Sequence, residues 1–216
     1  MGKVNYSFDP NMALNRELCE FVGAFIGDAF YNSYQPGKYV IQFTGDANLD
    51  NGYYNNTITP ITKKLFGMKP YIRKKKNTLR VNFQSKILFY MLKERFQFPQ
   101  GKKVYFVKIP KEIISGKKEF IYATIRGIFD TDGCVYFDKR SIYKKPYPRI
   151  TLQIANEGLF LQLKALLSKY FEIYTSKRTN RKFYIEVYGH EQLKKWMLMI
   201  GFSNPRHLKK INASVA

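Results

Sequence analysis

Two short segments of the chain repeat each other at a wide interval, and each ends in an acid: FVGAFIGDAF at 21–30 and IRGIFDTDGCV at 125–135. Both run apolar, and both place a carboxylate five residues beyond a glycine, Gly23 to Asp28 and Gly127 to Asp132. The interval is 132 − 28 = 104 residues, close to half of the 216-residue chain. Strand-like stretches at Thr78–Phe83 and Lys182–Val187 lie at the same interval, 182 − 78 = 104. One interval for two unrelated features points to an internal duplication, so each half should fold into the same unit. A duplicated helix that delivers one carboxylate per copy implies a two-fold site able to hold metal ions between two acids.

The charge balance says what such a site would act on. There are 37 Lys+Arg against 16 Asp+Glu, a net charge of +21. Such an excess favours polyanions, because each neutralised phosphate releases condensed counterions. With 45% hydrophobic and 17% aromatic content, the chain can bury a core rather than remain a polybasic coil. Two cysteines (Cys19, Cys134) and two histidines (His190, His207) exclude a zinc finger or ribbon and weigh against histidine-based nuclease chemistry. No window approaches a membrane span and no apolar leader opens the chain, so an intracellular protein with no membrane partner is expected.

Periodicity predicts an α+β fold. In the first half, Asn15 caps a helix over 16–28, and a strand at Lys38–Thr44 turns Tyr39, Ile41 and Phe43 to one face. A helix at 58–68 stopped near Gly67, strands at 70–75 and 78–84, and a helix from Ser85 to about Phe96 follow. The second half retraces this with a helix at 118–131, strands at 134–138 and 148–154, a helix at 157–170, a hairpin (171–177, 182–188) and a helix at 190–200. Each half thus reads helix–β–β–helix–β–β–helix with a four-stranded antiparallel sheet. The subdomains are set at 1–98 and 115–216, with a linker at 99–114 centred on Pro99–Pro110.

Helices should cover one face of each sheet, leaving the other polar and basic. The residues expected to reach phosphates and base edges there are Lys38, Gln42, Thr44, Arg73, Lys75, Arg80, Asn82 and Gln84 in the first half. In the second they are Lys139, Arg149, Thr151, Gln153, Lys177 and Arg178, with Glu186 the main acidic exception.

The paired motifs have a physical logic of their own. Small residues at helical spacing (Gly23/Gly27, Ala123/Gly127) let two helices meet backbone to backbone, and glycine is otherwise costly in a helix, by about 1 kcal/mol each. Asp28 and Asp132 fall at helix C-termini, where the macrodipole disfavours negative charge by about 0.3–1 kcal/mol. A divalent cation between them reverses that electrostatic penalty.

These segments resemble the paired LAGLIDADG motifs of homing endonucleases. Ile125–Gly133 fits all the motif's defining places, whereas Phe21–Ala29 departs from it at Ile26 and Ala29 but keeps the eighth-position acid. The resemblance extends over almost the whole chain. It implies a monomer with pseudo-two-fold symmetry, the motif helices at its centre and two saddle-shaped sheets along the DNA major groove. Asp28 and Asp132 would be the catalytic acids and would bind Mg²⁺ (or Mn²⁺), assisted by the carbonyls of Gly27 and Thr131. The implied chemistry is hydrolysis of one phosphodiester in each strand across the minor groove. Asp130 is assigned to capping and packing. Family members often add a lysine or glutamine near each metal to order water, and here Thr44, Gln153, Arg80, Lys86 and Lys139 all remain candidates.

The reading is therefore an intron-encoded, divalent-metal-dependent, site-specific double-strand DNA endonuclease with a long asymmetric target. An RNA-binding intron maturase on the same fold is the alternative, and a purely structural basic module is a third. No Cys or Ser opens the chain and no His-Asn closes it, so an intein host is not expected.

Overall fold

The computed structural model describes residues 8–35, 37–101, 103–178 and 182–215. Helix α1 (Arg16–Asp28) starts where Asn15 accepts the Leu18 N–H, and it ends at the acid. Its counterpart α6 (Lys118–Asp132) also ends at its acid, one residue later than periodicity suggested. Both are buried on nearly every side, which an amphipathic surface helix would not be. The cause is their position: each covers its own sheet with one face and the other helix with the opposite face.

The two helices cross where their glycines meet. A Cβ added at Gly23 would lie 2.1 Å from the Thr124 carbonyl oxygen, and one at Gly127 would lie 2.3 Å from the Glu20 carbonyl oxygen. The duplicated glycines therefore serve backbone-to-backbone contact. Beside the crossing, Arg126 and Glu20 form a largely buried ion pair at 2.6 Å that ties the second half to the first.

Each half carries one antiparallel sheet. The first comprises β1 (Ala29–Gln35), β2 (Lys38–Asp46), β3 (Tyr71–Lys75) and β4 (Thr78–Gln84), in spatial order β1-β2-β4-β3. The second comprises β5 (Gly133–Asp138), β6 (Tyr147–Ile154), β7 (Ile173–Arg178) and β8 (Lys182–Tyr188), in the matching order β5-β6-β8-β7. The pairings Ile41↔Phe83 and Phe43↔Val81 in one sheet, and Ile150↔Val187 and Leu152↔Ile185 in the other, put apolar side chains on the helix side. Aromatic rings fill the space behind them, Phe21, Phe25, Phe43 and Phe66 in the first half, Phe129, Phe171 and Trp196 in the second.

Several elements differ from the sequence expectation. The repeat called for a strand ahead of β2 but set no bounds for it, because AFYNSYQ carries polar turn formers after its aromatic start; β1 supplies it, with Ala29 and Tyr31 pointing into the core. The helix expected at 58–68 begins at Asn51. A short α2 (Asn51–Tyr53) runs through a π-turn at Tyr54–Ile58 into α3 (Thr59–Phe66), where Gly67, at φ 65, closes it. The Asn- and Gly-rich start disguised this helix as a loop. Helix α4 (Lys86–Tyr90) is capped by Ser85 as expected. The linker contains a short α5 (Lys111–Ile114). Helix α7 (Glu157–Leu167) is three residues shorter than expected, and α8 spans His190–Met199. A closing α9 (Pro205–Val215), unforeseen, packs against β5.

Candidate active site

Because α1 and α6 cross at their glycines and run on in the same direction, their acids arrive together. A Cβ on Gly27 would sit 2.0 Å from Thr131 Oγ1 and 3.3 Å from Asp132 Oδ2. Gly27, Asp28, Thr131 and Asp132 therefore form one cluster. Solvent reaches both carboxylates, but protein surrounds them closely. Burial, then the neighbouring Asp132, pushes Asp28 up to about 7, opposed by a hydrogen bond from Tyr54. Burial also raises Asp132, against the pull of Lys103 and Arg206.

Those two cations were missed from sequence. The Lys103 ammonium donates to the carbonyls of Ile26 and Gly27 at the end of α1. Burial pulls Lys103 down to about 8, while Asp132 and Asp28 oppose the shift. At the end of α6, Arg206 Nη2 donates to the carbonyls of Asp130 (3.1 Å), Thr131 (2.6 Å) and Gly133 (3.2 Å). The two occupy equivalent positions about the pseudo-two-fold axis, 206 − 103 = 103 residues apart and one short of the repeat interval. Each cation answers the negative end of a helix dipole. The carbonyls of Gly27 and Thr131, expected to face a metal, thus each accept a hydrogen bond from a cationic side chain.

A second layer locks Arg206. Its Nη1 meets Asp50 Oδ1 at 2.9 Å, and Asn204 Nδ2 bridges the Asp50 carboxylate (3.0 Å) to the Asp130 carbonyl (2.9 Å). Asp130 is fully buried and caps the turn before α9, its two oxygens accepting from Ser203 N (2.8 Å) and Asn204 N (3.0 Å). It is a structural acid held away from the pair, the capping role expected of it.

The donor set suits a hard divalent cation. Two carboxylates with carbonyls beside them leave places for water and phosphate oxygens, as Mg²⁺ and Mn²⁺ prefer. Among the described residues there is no cluster of three or more His, Cys, Asp or Glu able to hold a metal without such help.

The electrostatics give a pH prediction. An acid raised from 3.8 to about 7 in the folded state loses stability as pH climbs through that window. Without divalent cations, Asp28→Asn should therefore raise Tm at pH 8, by several degrees if the relief is about 2 kcal/mol. At pH 4, near the bottom of that window, where the unfolded chain has only begun to ionise this acid, it should change Tm far less. Thermal scans in chelator at the two pH values check this, and an equal effect at both would contradict it.

The sheet faces divide unequally. In the first, Lys38, Gln42, Thr44, Arg73, Lys75, Arg80, Asn82 and Gln84 all lie on the face away from the helices. Arg73 and Arg80 sit directly opposite each other, a like-charge pair that costs stability unless a polyanion covers it. In the second sheet Thr151 and Gln153 share that face, with Gln153 accepting from Tyr184 at 2.8 Å. Arg149 lies there too but is engaged: it meets Asp138 at 3.1 Å and stacks over the Tyr188 ring at 4.3 Å. Lys177 is a correction. It pairs with Phe183 on the helix side of the edge strand, its ammonium over that ring; Lys177 and Arg178 are neighbours on one strand, so both could not face the same side. The Arg178 side chain lies outside the described residues. Lys139 follows β5 in a turn, off the sheet. Lys86 is corrected as a water-ordering candidate, since it opens α4 beside Pro10, Asn11 and Tyr90, behind the first sheet.

Comparison with known proteins bears on the fold that positions these residues. Residues 119–201 match the model of the LAGLIDADG-like domain. The chain is 29% identical over 203 residues to the replication factor C small subunit of Methanocaldococcus jannaschii, covering 91% of this chain and 10% of that protein. It is 31% identical over 140 residues to the probable translation initiation factor IF-2 of the same organism, covering 60% of this chain and 11% of that one. It thus spans about a tenth of the length of these curated relatives. The crystal structure of I-DmoI in complex with DNA and Mn superposes with a TM-score of 0.62 at 16% identity, over 87% of this chain and 97% of that one. The second half matches a LAGLIDADG-like domain, and the two-sheet fold is that of I-DmoI over 87% of the chain.

Proposed function

We propose that the protein is a site-specific, divalent-metal-dependent DNA endonuclease of the homing type, cutting both strands of a long asymmetric target. The observation that carries this is the convergence of Asp28 and Asp132, one from each copy of the repeat, at the ends of two helices flanked by sheets with open polar faces. Asp28 and Asp132 would hold Mg²⁺ or Mn²⁺, with the Gly27 and Thr131 carbonyls beside them. A divalent cation there supplies polarisation of the scissile phosphate and activation of the attacking water. Lys103 and Arg206 hold the helix ends and put positive charge where phosphate charge grows in the transition state. The first sheet supplies free cations and the second is richer in tyrosine, with Tyr136, Tyr174, Tyr184 and Tyr188 on its outer face, so the halves would read different base pairs. The relatives' names also fit a self-contained module: two proteins of unrelated function match the chain over about a tenth of their length.

That tyrosine-rich face is also what favours the runner-up, an RNA-binding maturase, because unstacked bases pack on exposed aromatic rings of a sheet. No described helix is long and apolar enough to cross a membrane.

Binding distinguishes the readings. Affinity for duplex DNA should fall steeply with salt, with a log–log slope of about −0.9 per phosphate contacted. The double variant Arg73→Ala/Arg80→Ala should reduce the magnitude of that slope by about 2. A flat salt response, or structured RNA bound far more tightly than duplex, would overturn the endonuclease reading.

A further inference from the structure

We propose that Tyr54 is a positioning residue for one of the two carboxylates only, and that it makes the two half-sites unequal. This deepens the endonuclease reading and rests on it for the catalytic consequence. The Tyr54 hydroxyl donates to Asp28 Oδ2 at 2.8 Å, which fixes the carboxylate's rotation and leaves Oδ1 as its free oxygen. Tyr54 itself is fully buried and cannot swing away. Its ring meets Phe43 at 5.8 Å and Tyr53 at 5.6 Å between centroids. A side chain at Gly45 would already approach Tyr54 Cε2 at 2.9 Å, so the strand lies directly against it. Tyr54 also opens the π-turn, accepting the Thr59 N–H across five residues. Such turns redirect a side chain that a regular helix would aim elsewhere.

Among the described residues the second half has no equivalent. Counted from the helix starts at Asn51 and Glu157, Tyr54 corresponds to 157 + 3 = 160, a buried phenylalanine of α7 with no hydroxyl to offer. Asp132 faces Lys103 and Arg206, both cations, and the carboxylate of Asp28. The groups facing Asp28 are Asp132, Tyr54, Asp50, Arg206 and Lys103. One carboxylate is thus held in a fixed rotamer by a neutral donor, and the other is balanced by charge alone. Cleavage of the two strands should then proceed at different rates, with Tyr54 governing only the strand served by Asp28.

The test uses Tyr54→Phe, which keeps the packed ring and removes only the hydroxyl. Mn²⁺ affinity is measured by calorimetry on the full chain in two backgrounds. With Asp132→Asn, where Asp28 is the remaining acid, Tyr54→Phe should weaken Mn²⁺ binding about 10-fold or more, as loss of a ligand's supporting hydrogen bond does. With Asp28→Asn it should change nothing. Equal effects in both backgrounds, or none in either, overturn the proposal. On a strand-labelled target, Tyr54→Phe should slow one strand and leave the other at its wild-type rate, so that nicked DNA accumulates; equal slowing of both would mean a general structural role and also overturn it. A wild-type chain that cuts no DNA would sink the endonuclease reading, while the two affinity measurements would still decide the role of Tyr54.

Discussion

Replacing either acid, Asp28→Asn or Asp132→Asn, is expected to cut double-strand cleavage by at least about 10³-fold while leaving duplex affinity within a few-fold of wild type. A 10³-fold loss corresponds to about 4 kcal/mol of transition-state stabilisation, reasonable for removing a charged metal ligand. The substitution keeps the shape of the side chain, so the helix crossing at Gly23 and Gly127 is untouched. It also removes repulsion between two closely surrounded carboxylates, so folding should improve rather than suffer. In the proposed reading affinity comes from the sheet faces, which neither variant alters. Because each acid belongs to one half-site, residual activity should appear as single-strand nicks, on opposite strands for the two variants. Following supercoiled, nicked and linear DNA over time checks all three expectations. Full cleavage by either variant would remove that acid from the mechanism.

The second large effect is on the fold. Gly127→Ala places a Cβ 2.3 Å from the Glu20 carbonyl oxygen and 2.6 Å from the Ala24 nitrogen, both main-chain atoms of α1. Neither can move without shifting a helix that supports the first sheet, so the two halves must separate at their closest point. Severe overpacking of this kind should cost more than about 4 kcal/mol, a large share of the 5–15 kcal/mol that typically holds a domain together. Chemical denaturation should show a collapse of the midpoint or an unfolded chain. Gly158→Ala is the control. It lies in α7, its added Cβ meets the flexible Lys108 side chain at 3.0 Å and Asn156 Oδ1 at an ordinary 3.4 Å, and better helix propensity should leave it near or slightly above wild type. A Gly127→Ala protein as stable as the control would mean that the helices do not meet at these glycines.

The repeat carried most of what was legible in the sequence. Its interval located the two acids, and β4 and β8 fall where the alternation placed them. Local signals succeeded where a local cause exists: Asn15 and Ser85 cap helices through their own side chains, and Gly67 ends one at positive φ. The failures share a different cause. Lys103 sits in PQGKKVYFVKIP, which has the composition of a linker, and only the path of that segment past the end of α1 buries its ammonium at the acids. Arg206 reaches α6 from the far end of the chain, and its bridge to Asp50 spans the molecule. Tyr54 looked like one aromatic among many until a π-turn aimed it at Asp28. The near-repeat of Lys103 and Arg206 was the one available signal, visible only once the interval was applied to basic residues as well as acidic ones. Lys177 failed for a local reason, because an edge strand with few buried positions leaves its alternation poorly marked.

The most direct test of the paired-acid site is cleavage of a randomised duplex library, with Mg²⁺, with Ca²⁺ and with chelator, followed by sequencing of the ends. Double-strand breaks enriched at one long asymmetric sequence, with Mg²⁺ and not with chelator, are the expected result. Ends that appear equally in chelator, or no enriched break although duplex DNA is bound, would contradict a metal-dependent site built on Asp28 and Asp132.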